Sequence, residues 1–277
     1  MLNFLHTFNP SPILISIGPF NIYWYGLFIM LGAIIGIFTT LKLASYYNIK
    51  KSDIIDLAFW LIIGGIIGAR IYYIFLEFGY YSKNLLDIFK IWNGGLAIHG
   101  AIISGLIIIY LFSKIGRDRT MSCPYFWLLT SIIVPGLALA QAIGRFGNYF
   151  NQELFGTPTN LPWGIPIDLM NRPIEFISAE YFHPTFLYES IGNFIIFLIL
   201  ITFHFYIIKK NKKIKNIYIV FIYLFLYSIL RFSTEFIRID NPKIIFNLNI
   251  PQIMSLFIIF LAIFIILLQK FKKPATI

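Results

Sequence analysis

The residues best equipped for chemistry lie together in the run Gly144 to Gly156, GRFGNYFNQELFG. It sets Arg145, Asn148, Gln152 and Glu153 among glycines and aromatics at the end of a long apolar stretch. Polar and ionisable groups are costly at such a place, so they are normally paired or functional. A second set lies in YIVFIYLFLYSILRFSTEFIRID, from Tyr218. There Tyr227, Arg231, Glu235 and Arg238 follow at steps of 4, 4 and 3 and so share one helical face. An arginine there suits phosphate, because a planar guanidinium makes forked bonds to its oxygens. Two compatible readings stay open for Arg231 and Glu235: an ion pair that ties helices together, or a carboxylate that orients an arginine toward an anion.

Three smaller features carry further candidates. His99 stands in NGGLAIHGA, where Gly94, Gly95 and Gly100 permit close approach of backbone or ligand. It is either a hydrogen-bonded structural histidine or a neutral imidazole able to take a proton from a substrate. Tyr25, between Trp24 and Gly26, is either an interfacial anchor or part of a site. In HPTFLYE, Pro184 suits a helix start and Glu189 lies about one turn inside, where it needs a partner; Arg145 and Arg70 are the candidates. No G-x-S-x-G, H-E-x-x-H or P-loop occurs. The single cysteine, Cys123, excludes an intrachain disulfide, and the four histidines are scattered, so neither a metal nor a cofactor is expected.

The elements that must position these residues are membrane spans. Of 277 residues, 58% are hydrophobic and only 12% charged, against about 25% charged in soluble domains. Seven apolar spans cover about 22–41, 54–75, 94–113, 122–143, 187–208, 217–236 and 251–269, and about 20 helical residues cross the hydrocarbon core. The fold class expected is an all-α polytopic membrane protein with seven transmembrane helices, one integral membrane domain over 1–277. Residues 144–186, between spans four and five, are expected to form a small external, periplasmic-side cap. Pro158, Pro162, Pro166, Pro173 and Pro184 favour turns or short strands there. A short interfacial helix is expected within 76–93. Gly32 with Gly36, Gly64 with Gly68, and Gly100 with Ser104 are spaced for close helix packing.

The net charge of +10 could point to nucleic acid, but its placement argues otherwise. Fourteen Lys and Arg residues fall on one side of the spans, six on the other, and Arg70 and Arg231 within them. The positive-inside rule then puts the N-terminus outside and the C-terminus in the cytoplasm. The excess is a topology signal, with anionic membrane lipid a secondary partner and no nucleic acid expected. The first twenty residues hold no Lys or Arg, so the first span is expected to be retained. In this topology the candidate residues fall at one membrane face, where Arg145, Arg231 and His99 are expected to converge in one polar chamber.

GRFGNYFNQELFG resembles the signature of bacterial prolipoprotein diacylglyceryl transferases. WYG at 24–26, GGLAIHG at 94–100, HPTFLYE at 183–189 and RFSTEFIRID at 231–240 extend the resemblance in order. The chain departs from the family's usual pattern at Ala101, where a second glycine is common, and at Phe186, where glutamine is common. The resemblance implies an enzyme of the bacterial cytoplasmic (inner) membrane. It would move the diacylglyceryl group of phosphatidylglycerol to the lipobox cysteine of a lipoprotein precursor, forming a thioether and releasing glycerol phosphate. By motif, it implies Arg145 and Arg231 at the phosphate, with Asn148 and Tyr227 as neutral donors. It implies His99 or Glu153 as the base, and Tyr25, Gly156 and Glu235 as substrate-binding positions. Cys123 lies at the cytoplasmic end of its span, on the wrong side to act as a nucleophile. Both substrates reside in the membrane, so access between helices is expected to be lateral. The alternative is a transporter or channel for a small anion. The topology is checked by reporter fusions: those after Lys213 and Lys273 should report cytoplasm and one within 157–170 the exterior, and an external signal after Lys273 would mean a miscounted span.

Overall fold

Apolar runs of this length must satisfy their own backbone polar groups in lipid, and a helix does so within one segment. The computed structural model describes residues 2–115, 122–210, 215–239, 244–245 and 247–271. Among these, seven helices are long and apolar enough to cross a membrane. The side chain of Cys123 lies outside the described residues, as do Arg117, Arg119, Lys212, Lys213, Lys243, Lys272 and Lys273 of the charge count.

The chain opens with a short helix α1 (Leu2–Thr7) and an antiparallel hairpin, β1 (Ile13–Ile17) and β2 (Phe20–Tyr23), turned at Gly18. The seven long helices follow: α2 (Trp24–Tyr46), α3 (Lys51–Leu76), α5 (Ile98–Ile115), α6 (Ser122–Phe150), α7 (Thr185–Lys210), α8 (Ile217–Glu235) and α9 (Ile250–Phe271). A single turn, α4 (Phe78–Tyr81), lies between α3 and α5. Two-stranded pairs complete the inventory: β3 (Ile165–Pro166) with β4 (Tyr181–Phe182), and β5 (Ile244–Ile245) with β6 (Leu248–Asn249).

Two compact units divide the chain. One comprises Thr40–Ile132; within it α3 packs on α5. Gly68 and Gly100 let the two backbones approach closely: a Cβ on Gly68 would lie 2.7 Å from the Gly100 carbonyl oxygen. The other comprises Met1–Thr39 and Ile133–Ile277. In it α7, α8 and α9 pack in succession. Val134 and Ala138 of α6 join Ile196, Leu200, Ile219 and Tyr223 in its membrane-depth core. A second core, under the candidate cap, gathers Tyr149, Phe155, Ile165, Ile167, Phe182 and Phe186.

Two expectations need correction. The fourth span does not stop at 143: α6 runs on to Phe150, so Arg145 and Asn148 are helical and share a face. Gly144 and Gly147 do not end it; Gly147 makes room for Tyr25, whose ring carbon would sit 2.7 Å from a Cβ there. Residues 76–93 form no single interfacial helix, but α4 and two 3-10 turns, Leu85–Phe89 and Ile91–Asn93. Arg70 draws off the carbonyls of Asp87, Ile88 and Lys90, which a continuous helix would need.

On α2, Gly32 and Gly36 face α6: a Cβ at either would lie 2.9 Å from the carbonyl oxygen of Ala140 or Gly136. Backbone cannot give way as a side chain can. Gly36→Val should therefore lower thermal stability in detergent by about 1–3 kcal/mol through overpacking, and an unchanged melting curve would show that this helix pair is not closely packed.

Candidate active site

Glu189 occupies the second turn of α7 and is 3% exposed. Three guanidinium groups surround its carboxylate. Arg145 of α6 meets Oε2 at 2.5 Å; Arg231 of α8 and Arg238, just beyond α8, reach Oε1 at 3.1 and 3.3 Å. Arg231 also turns its second nitrogen to Oε2 of Glu235 at 2.8 Å, close enough for an ion pair but not aligned as a hydrogen bond. These contacts hold three arginines on two buried carboxylates. The Arg145 and Arg231 side chains are about one-fifth exposed, at 21% and 20%, whereas Arg238 is buried at 5%. Arg145 and Arg231 are therefore the cluster's accessible face. Of the two proposed partners for Glu189, the structure selects Arg145; Arg70 belongs to the other unit and bonds to backbone carbonyls.

The helices are locked under this cluster. Ser190 donates to the carbonyl of Ala142, joining α7 to α6 at 2.8 Å, and Tyr223 of α8 donates to Gln141 of α6 at 3.0 Å. Tyr227, one turn before Arg231, stacks its ring on Tyr223.

Arg145 also leads into a polar chain. It donates to Oδ1 of Asn148 at 3.3 Å, and Asn148 donates to Oε1 of Glu153 at 2.7 Å. Glu153 is turned back toward α6 by two residues with positive φ, Gln152 at +50° and Leu154 at +57°. A left-handed leucine is uncommon and is held only where surroundings over-determine it. Here Thr185 donates to the Leu154 carbonyl, and the buried Gln152 side chain binds Asn9, Pro10, Asp168 and Asn171. Tyr25 packs on Gly147, within the α6 turns that carry Arg145 and Asn148.

Gly156 has a structural function in this arrangement. It bridges to Arg238, its N–H donates to His183, and a Cβ would fall 2.7 Å from Ile237 and 2.8 Å from His183. Glycine thus lets the strand-like contact that seats Arg238 form. His183 itself contacts the Tyr188 hydroxyl at 3.1 Å, and that oxygen accepts from Trp163 at 2.9 Å. Burial holds the His183 imidazole below its ordinary pKa, which favours the neutral ring.

The structure therefore unites Tyr25, Arg145, Asn148, Glu153, Gly156, Arg231 and Glu235 in one unit, with Tyr227 one turn away. His99 lies in the other unit, exposed, with the Tyr72 ring 5.9 Å from its own. Sequence reasoning named Arg145 as a partner for Glu189 and put Arg238 on the Arg231 face, but counted neither Glu189 nor Arg238 among the site residues. The signals were a glutamate one turn inside an apolar helix and an arginine on the Arg231 stripe.

The family model for prolipoprotein diacylglyceryl transferase matches residues 12–268. The chain belongs to that family. Relatives named phosphatidylglycerol–prolipoprotein diacylglyceryl transferase agree along nearly the whole length. One from Synechocystis sp. is 42% identical over 95% of this chain and 92% of its own. One from Finegoldia magna is 43% identical over 93% and 94%, and one from Nostoc sp. 42% identical over 92% and 87%.

Removing the Glu189 charge would take away the carboxylate that Arg145, Arg231 and Arg238 share. Breaking a buried ion pair from one side costs about 3–5 kcal/mol. Glu189→Gln should thus lose that much stability in a detergent melt, and a loss within about 0.5 kcal/mol of the parent, typical of a surface change, would remove Glu189 from the centre of the cluster.

Proposed function

We propose that this chain transfers the diacylglyceryl group of phosphatidylglycerol to the lipobox cysteine thiol of a lipoprotein precursor. The observation that carries the reading is the pair of accessible arginines, Arg145 and Arg231, held on the buried Glu189 at the end of a membrane helix, in a member of the transferase family. The donor's phosphodiester carries one negative charge, which a guanidinium fork suits.

In the reaction the thiol loses its proton, and the sulfur attacks the diacylglyceryl carbon bonded to the phosphate oxygen. That C–O bond breaks, and its electron pair leaves with glycerol phosphate. The phosphate goes from one negative charge toward two, so arginines already fixed around it bind the transition state more tightly than the ground state. Arg145 and Arg231 are the residues we place at the phosphate, with Asn148 and Tyr227 as neutral donors and Tyr25 and Gly156 shaping the site. Glu189, Glu235 and Arg238 hold the two arginines in place, so little reorganisation is needed as charge develops. The same positive field favours a thiolate over a thiol. Glu153, at the end of the Arg145–Asn148 chain, and His99, by its motif, are the two candidate bases.

Family membership supports the bacterial inner membrane as the protein's location, and the asymmetry of its basic residues supports an N-terminus outside and a C-terminus in the cytoplasm. Residues 144–186 then form an external cap on a single integral domain, 1–277. Lipid and precursor reach the site laterally from the bilayer. An anion transporter, the alternative suggested by buried arginines, has no support from the family.

Purified protein with labelled phosphatidylglycerol and a lipobox peptide tests the reading directly. Arg145→Lys and Arg231→Lys should insert normally but transfer about a hundredfold more slowly or worse, because lysine lacks the planar fork. Arg172→Lys, whose side chain braces the carbonyls of Ile167 and Ile177, should transfer at close to the parental rate. Near-parental activity in both motif variants would leave the cluster a purely structural one.

A further inference from the structure

Arg70 lies in the last two turns of α3, is 6% exposed, and makes its hydrogen bonds to backbone carbonyls. A buried guanidinium is tolerated only if its donors are satisfied, and it has five N–H groups. All five are used, each on a backbone carbonyl. Nε donates to Ile88 at 2.9 Å, one terminal nitrogen to Gly94 and Gly95 at 2.7 and 3.0 Å, and the other to Asp87 and Lys90 at 2.5 and 3.3 Å. The Tyr81 ring covers the guanidinium at 5.2 Å. One side chain thus gathers the carbonyls of residues 87–95, the strap that leads into α5.

The strap is built around this contact. Gly94 and Gly95 adopt φ of +83° and +75°, a left-handed pair that brings both carbonyls to the same nitrogen. A Cβ on Gly95 would stand 2.6 Å from that nitrogen and 2.8 Å from the Tyr73 ring. Asp87 holds the strap's outer turn through Lys90 and Tyr80, each at 2.6 Å, and these bonds keep its carboxyl below the usual range. Ala97 then donates to the Ala69 carbonyl at 3.1 Å, and Gly100 seats α5 on Gly68. His99 falls between these two anchors. Its ring is exposed and meets the ring of Tyr72, so backbone placement decides where the imidazole points.

We propose that Arg70 is a positioning residue for His99, fixing through five carbonyls where α5 begins and how the imidazole is presented. This deepens the reading of His99 as a base and rests on it. Lysine keeps the charge but offers three donors without the planar fork, so it cannot gather five carbonyls.

The test uses the full-length protein in detergent with phosphatidylglycerol and a lipobox peptide. Arg70→Lys should lower kcat at least about tenfold, as misplacement of a reacting group does, with KM for phosphatidylglycerol unchanged. In a His99→Gln background it should cause no further loss, because residues acting through one another are non-additive. Parental kcat in Arg70→Lys, or an equal loss in both backgrounds, overturns the proposal. Hydrogen exchange gives a reading independent of activity: amides of 87–100 should exchange faster in Arg70→Lys while those of 51–66 stay as in the parent. Unchanged exchange in 87–100 overturns the positioning role even if the parent shows no transfer, a result that would by itself count only against the transferase reading. Gly95→Ala presses on the same guanidinium from the strap side and should reproduce both effects if Arg70→Lys fails to fold.

Discussion

A carboxylate at membrane depth is tolerated only when its charge is answered, and the answer given to Glu189 organises much of this molecule. Arg145 arrives from α6, Arg231 from α8 and Arg238 from just beyond α8, so one buried anion on α7 ties α6 to the end of α8. Arg145 and Arg231 are held partly open, while Arg238 is buried. Replacing such an ion cluster with apolar residues need not cost stability. Its retention is better explained by a requirement for charge at that place than by a need for adhesion.

The two hydrogen-bonded systems solve opposite problems. In the Glu189 cluster the arginines bind carboxylates, and the partly exposed guanidinium groups of Arg145 and Arg231 remain accessible to a ligand. At Arg70 every donor is consumed by backbone, so that arginine has no free fork and acts on chain geometry alone. Residue type does not separate these roles, since both are arginines near the ends of apolar helices. The number of N–H groups already used does. Glycines divide in the same way. Gly156 lets Arg238 be seated, Gly147 admits Tyr25, and Gly95 admits Arg70, so much of the glycine content of the motifs serves to bring backbone up to a side chain.

The sequence by itself determined the seven helices, because an apolar run of about twenty residues has few other ways to satisfy its backbone in lipid. It also determined which stretches hold the chemistry, since polar residues stand out against such a background, and the ordered motifs specified the family. The α8 stripe was legible from helical spacing alone, and the Arg231–Glu235 pair lies where that spacing put it.

Other features were decided only in three dimensions. Whether Glu189 would take Arg145 or Arg70 depended on how α7 packs against α6 and α8, which no local period encodes. The extension of α6 to Phe150 depended on Tyr25, over a hundred residues earlier, filling the space beside Gly147 and making that glycine a packing site instead of a helix end. The strap before α5 failed to become a helix because a side chain on α3 captured its carbonyls. In each case a competing partner distant in sequence outbid a local preference worth about 1 kcal/mol or less per residue, and the identity of that partner is a property of the tertiary structure.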